Sequence, residues 1–168
     1  DRFGPDSDPS VSPDGRKIAY LSFEDKIQTY QVSKLYVMNI DGSDKRELLG
    51  DLDRSVSGLS WSNDSDGVYF QYDNHGDTRV AFTTLAGRKR EIATNLGGTT
   101  IGRPYGGGSF SVSKSGTVAY THVTPYRPAE LAIVARGRAQ ATVVTSFNAG
   151  LLNWRNLGAV EEIWYLSL

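Results

Sequence analysis

Few side chains in this sequence are equipped to do chemistry, and their spacing limits them further. Acyl transfer by serine needs the nucleophile on a tight strand-to-helix turn of the form G-x-S-x-G, with a histidine placed to take its proton. No G-x-S-x-G occurs in the 168 residues; the nearest approach, Gly106, Gly107, Gly108 and Ser109 in "YGGGSF", reads as a flexible entry to a strand. There are two histidines, His75 at a hairpin corner in "DNHGDT" and His122 at the end of an apolar strand, and a structural role suits each better than a catalytic one. With no nucleophile to activate, neither can complete a Ser-His-Asp triad, so no catalytic residue is expected. The oxygen-rich turns "NDSDG" (63–67) and "DNHGDT" (73–78) lack the spacing of a calcium loop and read as Asx turns. Zero Cys excludes disulfides, Cys-ligated zinc and a thiol nucleophile. No cofactor and no metal are expected.

Charge narrows the partners. With 18 Lys+Arg against 19 Asp+Glu the net charge is -1, which gives no electrostatic case for nucleic acid or an anionic membrane surface. No apolar run approaches the ~18 residues that cross a bilayer, and the opening "DRFGPDSDPS" lacks the layout of a signal peptide. Lacking an initiator Met, the chain reads as a processed or excised piece. The compartment stays open, with the cytoplasm favoured over periplasm or secretion.

The elements that would position any site are strands. The 18 Gly, 9 Tyr and 6 Phe accompany many Val, Ile and Thr, and turn signals recur every ten residues or so, as in an all-β chain. A phrase repeats about every fifty residues: "VSPDGRKIAY" (11–20), "WSNDSDGVYF" (61–70) and "VSKSGTVAYT" (112–121). Each copy continues into a second apolar run, a glycine turn (Gly42, Gly87, Gly137) and a third short run. A four-strand unit of this period is a β-propeller blade. The expected architecture is a β-propeller fragment of about three four-stranded blades (9–49, 57–94 and 108–145), with a partial blade and linker strand over 146–168, opening around "LLNWRN" and ending in "EEIWYLSL". In "SPDG", Pro13 presets φ, Asp14 bonds the local backbone and Gly15 supplies the positive φ of a tight hairpin. Apolar residues occupy both faces of "KIAYLS" and of "GVYFQY", where Val68, Phe70 and Tyr72 oppose Tyr69; burial on both faces suits a blade between neighbours.

Recognition usually sits on loops held by a rigid scaffold. The longest lie between second and third strands, "FEDKIQTYQVSK" (23–34) and "HVTPYRP" (122–128), and nominate Glu24, Asp25, Tyr126 and Arg127 as candidate substrate contacts. Three blades cannot close a ring, so the end blades should show water apolar faces, Val11, Ile18 and Tyr20 on one side and Leu131, Ile133 and Val144 on the other. The fragment is therefore expected to self-associate.

The phrase "DPSVSPDGRKIAYLS" followed by "KLYVMNIDGSDKRELL" resembles the repeat of TolB-like propellers and of the amino-terminal propellers of prolyl oligopeptidase-family serine peptidases. The carboxyl end is similar to the last blade of acylaminoacyl-peptidase and dipeptidyl-aminopeptidase members, with P-x-E-L, T-x-x-N-x-x-L-L and E-x-x-W-Y-x-S patterns matched by Pro128, Glu130, Leu131, Thr145, Asn148, Leu151, Leu152, Glu161, Trp164, Tyr165 and Ser167. The resemblance implies a non-catalytic propeller that gates peptide substrates for an α/β-hydrolase domain of the same protein, beginning after Leu168. Glu161-Glu162 invites comparison with paired glutamates that grip a substrate amine, but neighbours on a strand point opposite ways and the role is not carried over. The alternative is a free-standing TolB-like propeller acting as a protein–protein interaction module.

Overall fold

A computed structural model describes residues 4–98 and 107–166. The first sheet is an antiparallel meander of β1 (Asp6–Val11), β2 (Lys17–Ser22), β3 (Lys34–Asn39) and β4 (Arg46–Glu47). The second repeats it as β5 (Val56–Trp61), β6 (Gly67–Asn74), β7 (Asp77–Thr84) and β8 (Lys89–Leu96). A third follows as β9 (Phe110–Val112), β10 (Val118–Thr124), β11 (Arg127–Val134) and β12 (Thr142–Val143), joined to the second by the single ladder pair Leu96↔His122.

The repeated phrase is the hairpin between first and second strands in each sheet. The turns close alike, Gly15 N–H donating to the Ser12 carbonyl (2.8 Å), Ser65 to Ser62 (3.0 Å) and Gly116 to Ser113 (2.9 Å). The fourth turn residue is left-handed in all three, with φ of +72°, +60° and +82°. Glycine was the residue expected there, yet in the second copy Ser65 takes the positive φ and Gly67 opens β6 instead. Asp14 shows why the corner holds: it accepts from the Ser12 hydroxyl (2.6 Å) and the Arg16 N–H (3.1 Å), and these bonds hold its carboxyl below the usual range.

Two-sided burial is what joins the sheets. One core packs Ala19, Leu21, Leu35 and Val37 of the first sheet against Val68, Phe70 and Tyr72 of the second. The other packs Tyr69 and Val80 from the opposite face of the second against Val118, Tyr120, Ala132 and Val134 of the third. Polar contacts pin the first junction at both margins. At the first strands, Trp61 Nε1 donates to the Ser10 carbonyl (2.8 Å); at the fourth, Arg46 Nη1 donates to the Leu85 carbonyl (2.9 Å).

The end faces depart in part from expectation. Leu131, Ile133 and Val144 are 47%, 36% and 52% exposed and Val11 is 55% exposed, but Tyr20 is only 5% exposed, stacked on Tyr36 at 5.6 Å, and Ile18 is half-buried. The carboxyl end also differs. A helical turn, α1 (Ala149–Leu152), stands where a strand around "LLNWRN" was expected, and residues 161–166 run without a ladder partner among the described residues. Ladder bonds, not apolar content, make a strand, and this segment finds none. Gly106 and Ser167 lie outside the described residues.

Candidate functional site

An antiparallel meander sends the β2–β3, β6–β7 and β10–β11 connections to one end of the sheets and the repeated hairpins to the other. The four nominated side chains therefore share a rim, but only two of them meet. Glu24 is exposed, and Asp25 folds its own loop by accepting from the Ile27 N–H (2.8 Å) and from the Gln31 side-chain amide. The long connection expected over 122–128 is instead a two-residue turn, because His122 and Thr124 pair with Glu130 and Arg127 in the β10–β11 ladder. Tyr126 and Arg127 lie together at that turn. They border a cleft of about 500 Å³ whose other walls come from the β6–β7 turn and from Leu152 and Leu157.

The carboxyl-terminal segment forms that last wall because of one clasp. The Glu130 carboxylate accepts from the Thr145 hydroxyl (2.5 Å), the Phe147 and Asn148 N–H groups (3.0 Å each) and Asn148 Nδ2 (3.1 Å). Thr145 Oγ1 in turn accepts from the Leu131 N–H (2.8 Å). These donors, the Thr145 hydroxyl foremost, hold the Glu130 pKa down at about 2. The P-x-E-L and T-x-x-N patterns are thus the two halves of a turn-locking device that delivers the chain from β12 into α1. Beyond α1 the segment touches the rim three times. Arg127 Nη2 donates to Asn153 Oδ1 (2.6 Å), the Val160 N–H donates to Tyr126 Oη (3.0 Å), and Trp164 sets its ring edge-on to His75 at 4.9 Å.

The polar side of the cleft is Asp77, which sequence reasoning placed only in an Asx turn. Asp77 accepts from the Asn95 N–H (2.7 Å) and pairs with Arg79 (3.4 Å), while burial pushes its pKa up against these partners. Arg79 also donates to Glu91 (3.0 and 3.1 Å), which accepts a hydrogen bond from the Tyr72 hydroxyl (2.6 Å). Burial and that bond push the Tyr72 pKa up to about 12. Such a network fixes strands; it presents no nucleophile. The histidines are structural in their contacts too. His75 occupies the hairpin corner with φ +51°, and half-buried His122 lies against Tyr120 (5.9 Å), its pKa lowered by desolvation. Ser109 opens the third sheet by donating its N–H to Thr121 Oγ1 (3.0 Å). Among the described residues no group of His, Asp and Glu is placed to hold a metal.

The sheets superpose on solved propellers. TolB from Acinetobacter baumannii matches with a TM-score of 0.60 at 18% identity, over 86% of this chain and 33% of that one. The chain is a segment of a β-propeller. A putative TolB from Agrobacterium tumefaciens gives 0.61 at 18% identity over 85% of the propeller segment and 50% of its own chain, and a prolyl endopeptidase structure gives 0.57 at 17% identity over 84% and 22%. At these identities the likeness is one of fold. In sequence, the segment is 28% identical over 162 residues to dipeptidyl-peptidase 5 of Porphyromonas gingivalis, covering 96% of the segment and 22% of that protein. It thus spans about a fifth of the length of the peptidase it resembles and a third to a half of the TolB chains. No protein-family profile matches. Both kinds that the repeat and the carboxyl-terminal patterns suggest, TolB propellers and peptidases of the dipeptidyl and prolyl type, are among the relatives.

Proposed function

We propose that this propeller segment belongs to a serine-type peptidase of dipeptidyl-aminopeptidase or acylaminoacyl-peptidase kind, where it gates and orients peptides for an α/β-hydrolase domain of the same protein and does no chemistry itself. The observation that carries the reading is the 28% identity to a dipeptidyl-peptidase along 96% of the segment. Two features support it. The sequence contains no G-x-S-x-G, and the rim bearing Tyr126 and Arg127 also receives the carboxyl-terminal segment, so a following domain would face the same cleft. The β2–β3 loop at residues 23–33 is the longest strand-to-strand hairpin connection on that rim and would narrow the approach of large substrates.

The test has two arms. Incubated with a serine-directed phosphonate and with acyl-peptide and aminoacyl chromogenic substrates, the segment alone should show neither labelling nor turnover; stoichiometric labelling of any serine overturns the non-catalytic half. In the protein that carries the segment, residues 23–33 are replaced by a two-residue turn like that at His75-Gly76. Activity on longer peptides should rise while kcat for dipeptidyl substrates stays put, and an unchanged length preference overturns the gating half.

A further inference from the structure

We infer that the cleft at the β10–β11 turn is a subsite for the free α-carboxylate end of a peptide whose last side chain is apolar. The cleft bordered by Tyr126, Arg127, Leu152 and Leu157 continues into a shallower hollow where Asn153 and Arg155 join the same four residues. Val123, Pro125 and Pro128 add to the apolar lining of the deeper part. Two arginines therefore line one end of an apolar recess.

That neither is ion-paired is the second observation. Among the described residues neither Arg127 nor Arg155 lies in an ion pair, unlike Arg79 on the polar side of the cleft. Arg127 donates to Asn153 Oδ1 (2.6 Å) and weakly to the Tyr126 carbonyl (3.4 Å), which leaves other N–H groups of a five-donor fork available. Asp77 is the carboxylate that lines the deeper part, and Arg79 and the Asn95 N–H already hold it. Its ion pair is with Arg79, so it is not the counter-ion of Arg127 or Arg155. A guanidinium fork matches a carboxylate in shape as well as charge. An apolar recess beside it selects what precedes that carboxylate.

The inference rests on the reading of this rim as peptide-facing, but its test uses the chain alone. N-acetyl-Ala-Leu as the free acid, the same dipeptide as its amide, and acetate are titrated into the full 168-residue chain. The readouts are the fluorescence of Trp154, 87% exposed between Asn153 and Arg155, and amide chemical shifts. The acid should bind, with the amide and acetate each weaker by about tenfold or more. Arg127→Ala and Arg155→Ala should each erase the preference for acid over amide while thermal unfolding stays cooperative, since neither side chain is in a core. Equal affinity for acid and amide, acetate binding as tightly as the dipeptide, no binding of the acid, or a preference that survives both substitutions would each overturn the assignment. An unchanged length preference in the longer protein, with this acid preference intact, would refute the gating function and leave the subsite standing.

Discussion

Gly87 and Gly15 make a controlled pair for the blade junction. Both are left-handed, at φ +78° and +72°, so alanine at either must bear a conformational cost of about 1 kcal/mol. They differ in what a methyl group meets. At Gly15 nothing lies within 4 Å, whereas at Gly87 the new Cβ would fall 2.6 Å from the Leu48 carbonyl oxygen of the neighbouring blade. That oxygen is backbone, at the end of the first blade's outer strand, and relieving the overlap means moving one blade against the next. Overpacking of this kind costs roughly 1–3 kcal/mol beyond the backbone term, which places Gly87→Ala at about 2–4 kcal/mol against about 1 for Gly15→Ala. With urea m-values on the order of 1–3 kcal/mol/M, the two variants should differ in midpoint by roughly 1 M. Equilibrium urea unfolding followed by Trp fluorescence is a suitable assay, because Trp61 is only 8% exposed and packs at this junction. Coincident midpoints, or a milder effect at Gly87, would refute the argument that the blades abut at Leu48.

Three further outcomes follow from features described above. Glu130 is held ionised, so its contribution to stability is present above its ordinary pKa of 4.5 and is lost as pH falls towards about 2; Glu130→Gln should flatten the pH dependence of unfolding in that window, and parallel wild-type and variant curves would contradict the clasp. Ser65→Gly should raise stability by about 0.5 kcal/mol, the relief of a left-handed serine outweighing loss of the exposed Asp14 N–H to Ser65 Oγ bond (3.2 Å), and a lowered urea midpoint would show that the turn is not strained. The exposed Leu131, Ile133 and Val144 of the third blade should drive concentration-dependent association, read by light scattering over a dilution series; a strict monomer at high concentration would argue against it, and Leu131→Lys with Ile133→Lys should restore monomers if it occurs.

What could be read from sequence was what is local. Alternation along "GVYFQY" set Val68, Phe70 and Tyr72 against Tyr69, and the two cores divide along that line. Gly15, Gly42, Gly87 and Gly137 announced left-handed turns because no other residue takes that conformation so cheaply. Ser65 escaped notice because the same turn can be forced on a residue that does not prefer it. The burial of Tyr20 depends on Tyr36 across a strand pair, and the cleft depends on Leu157 and Pro125, some thirty residues apart, lining one hollow; neither is written in spacing. The motif containing Glu130, Thr145 and Asn148 was visible as a pattern, but its meaning as one carboxylate with four donors emerged only when the turn was folded around it.

The first junction is fastened at both ends of its width, by Trp61 on Ser10 and by Arg46 on Leu85. A plate riveted along one margin can swing, but a plate riveted along two cannot. Between those fastenings lies a close-packed core that resists compression. The first blade therefore has no independent pivot: a load applied to its β2–β3 loop at the rim is borne by the second blade as torque, and the long loop can yield only by bending within itself.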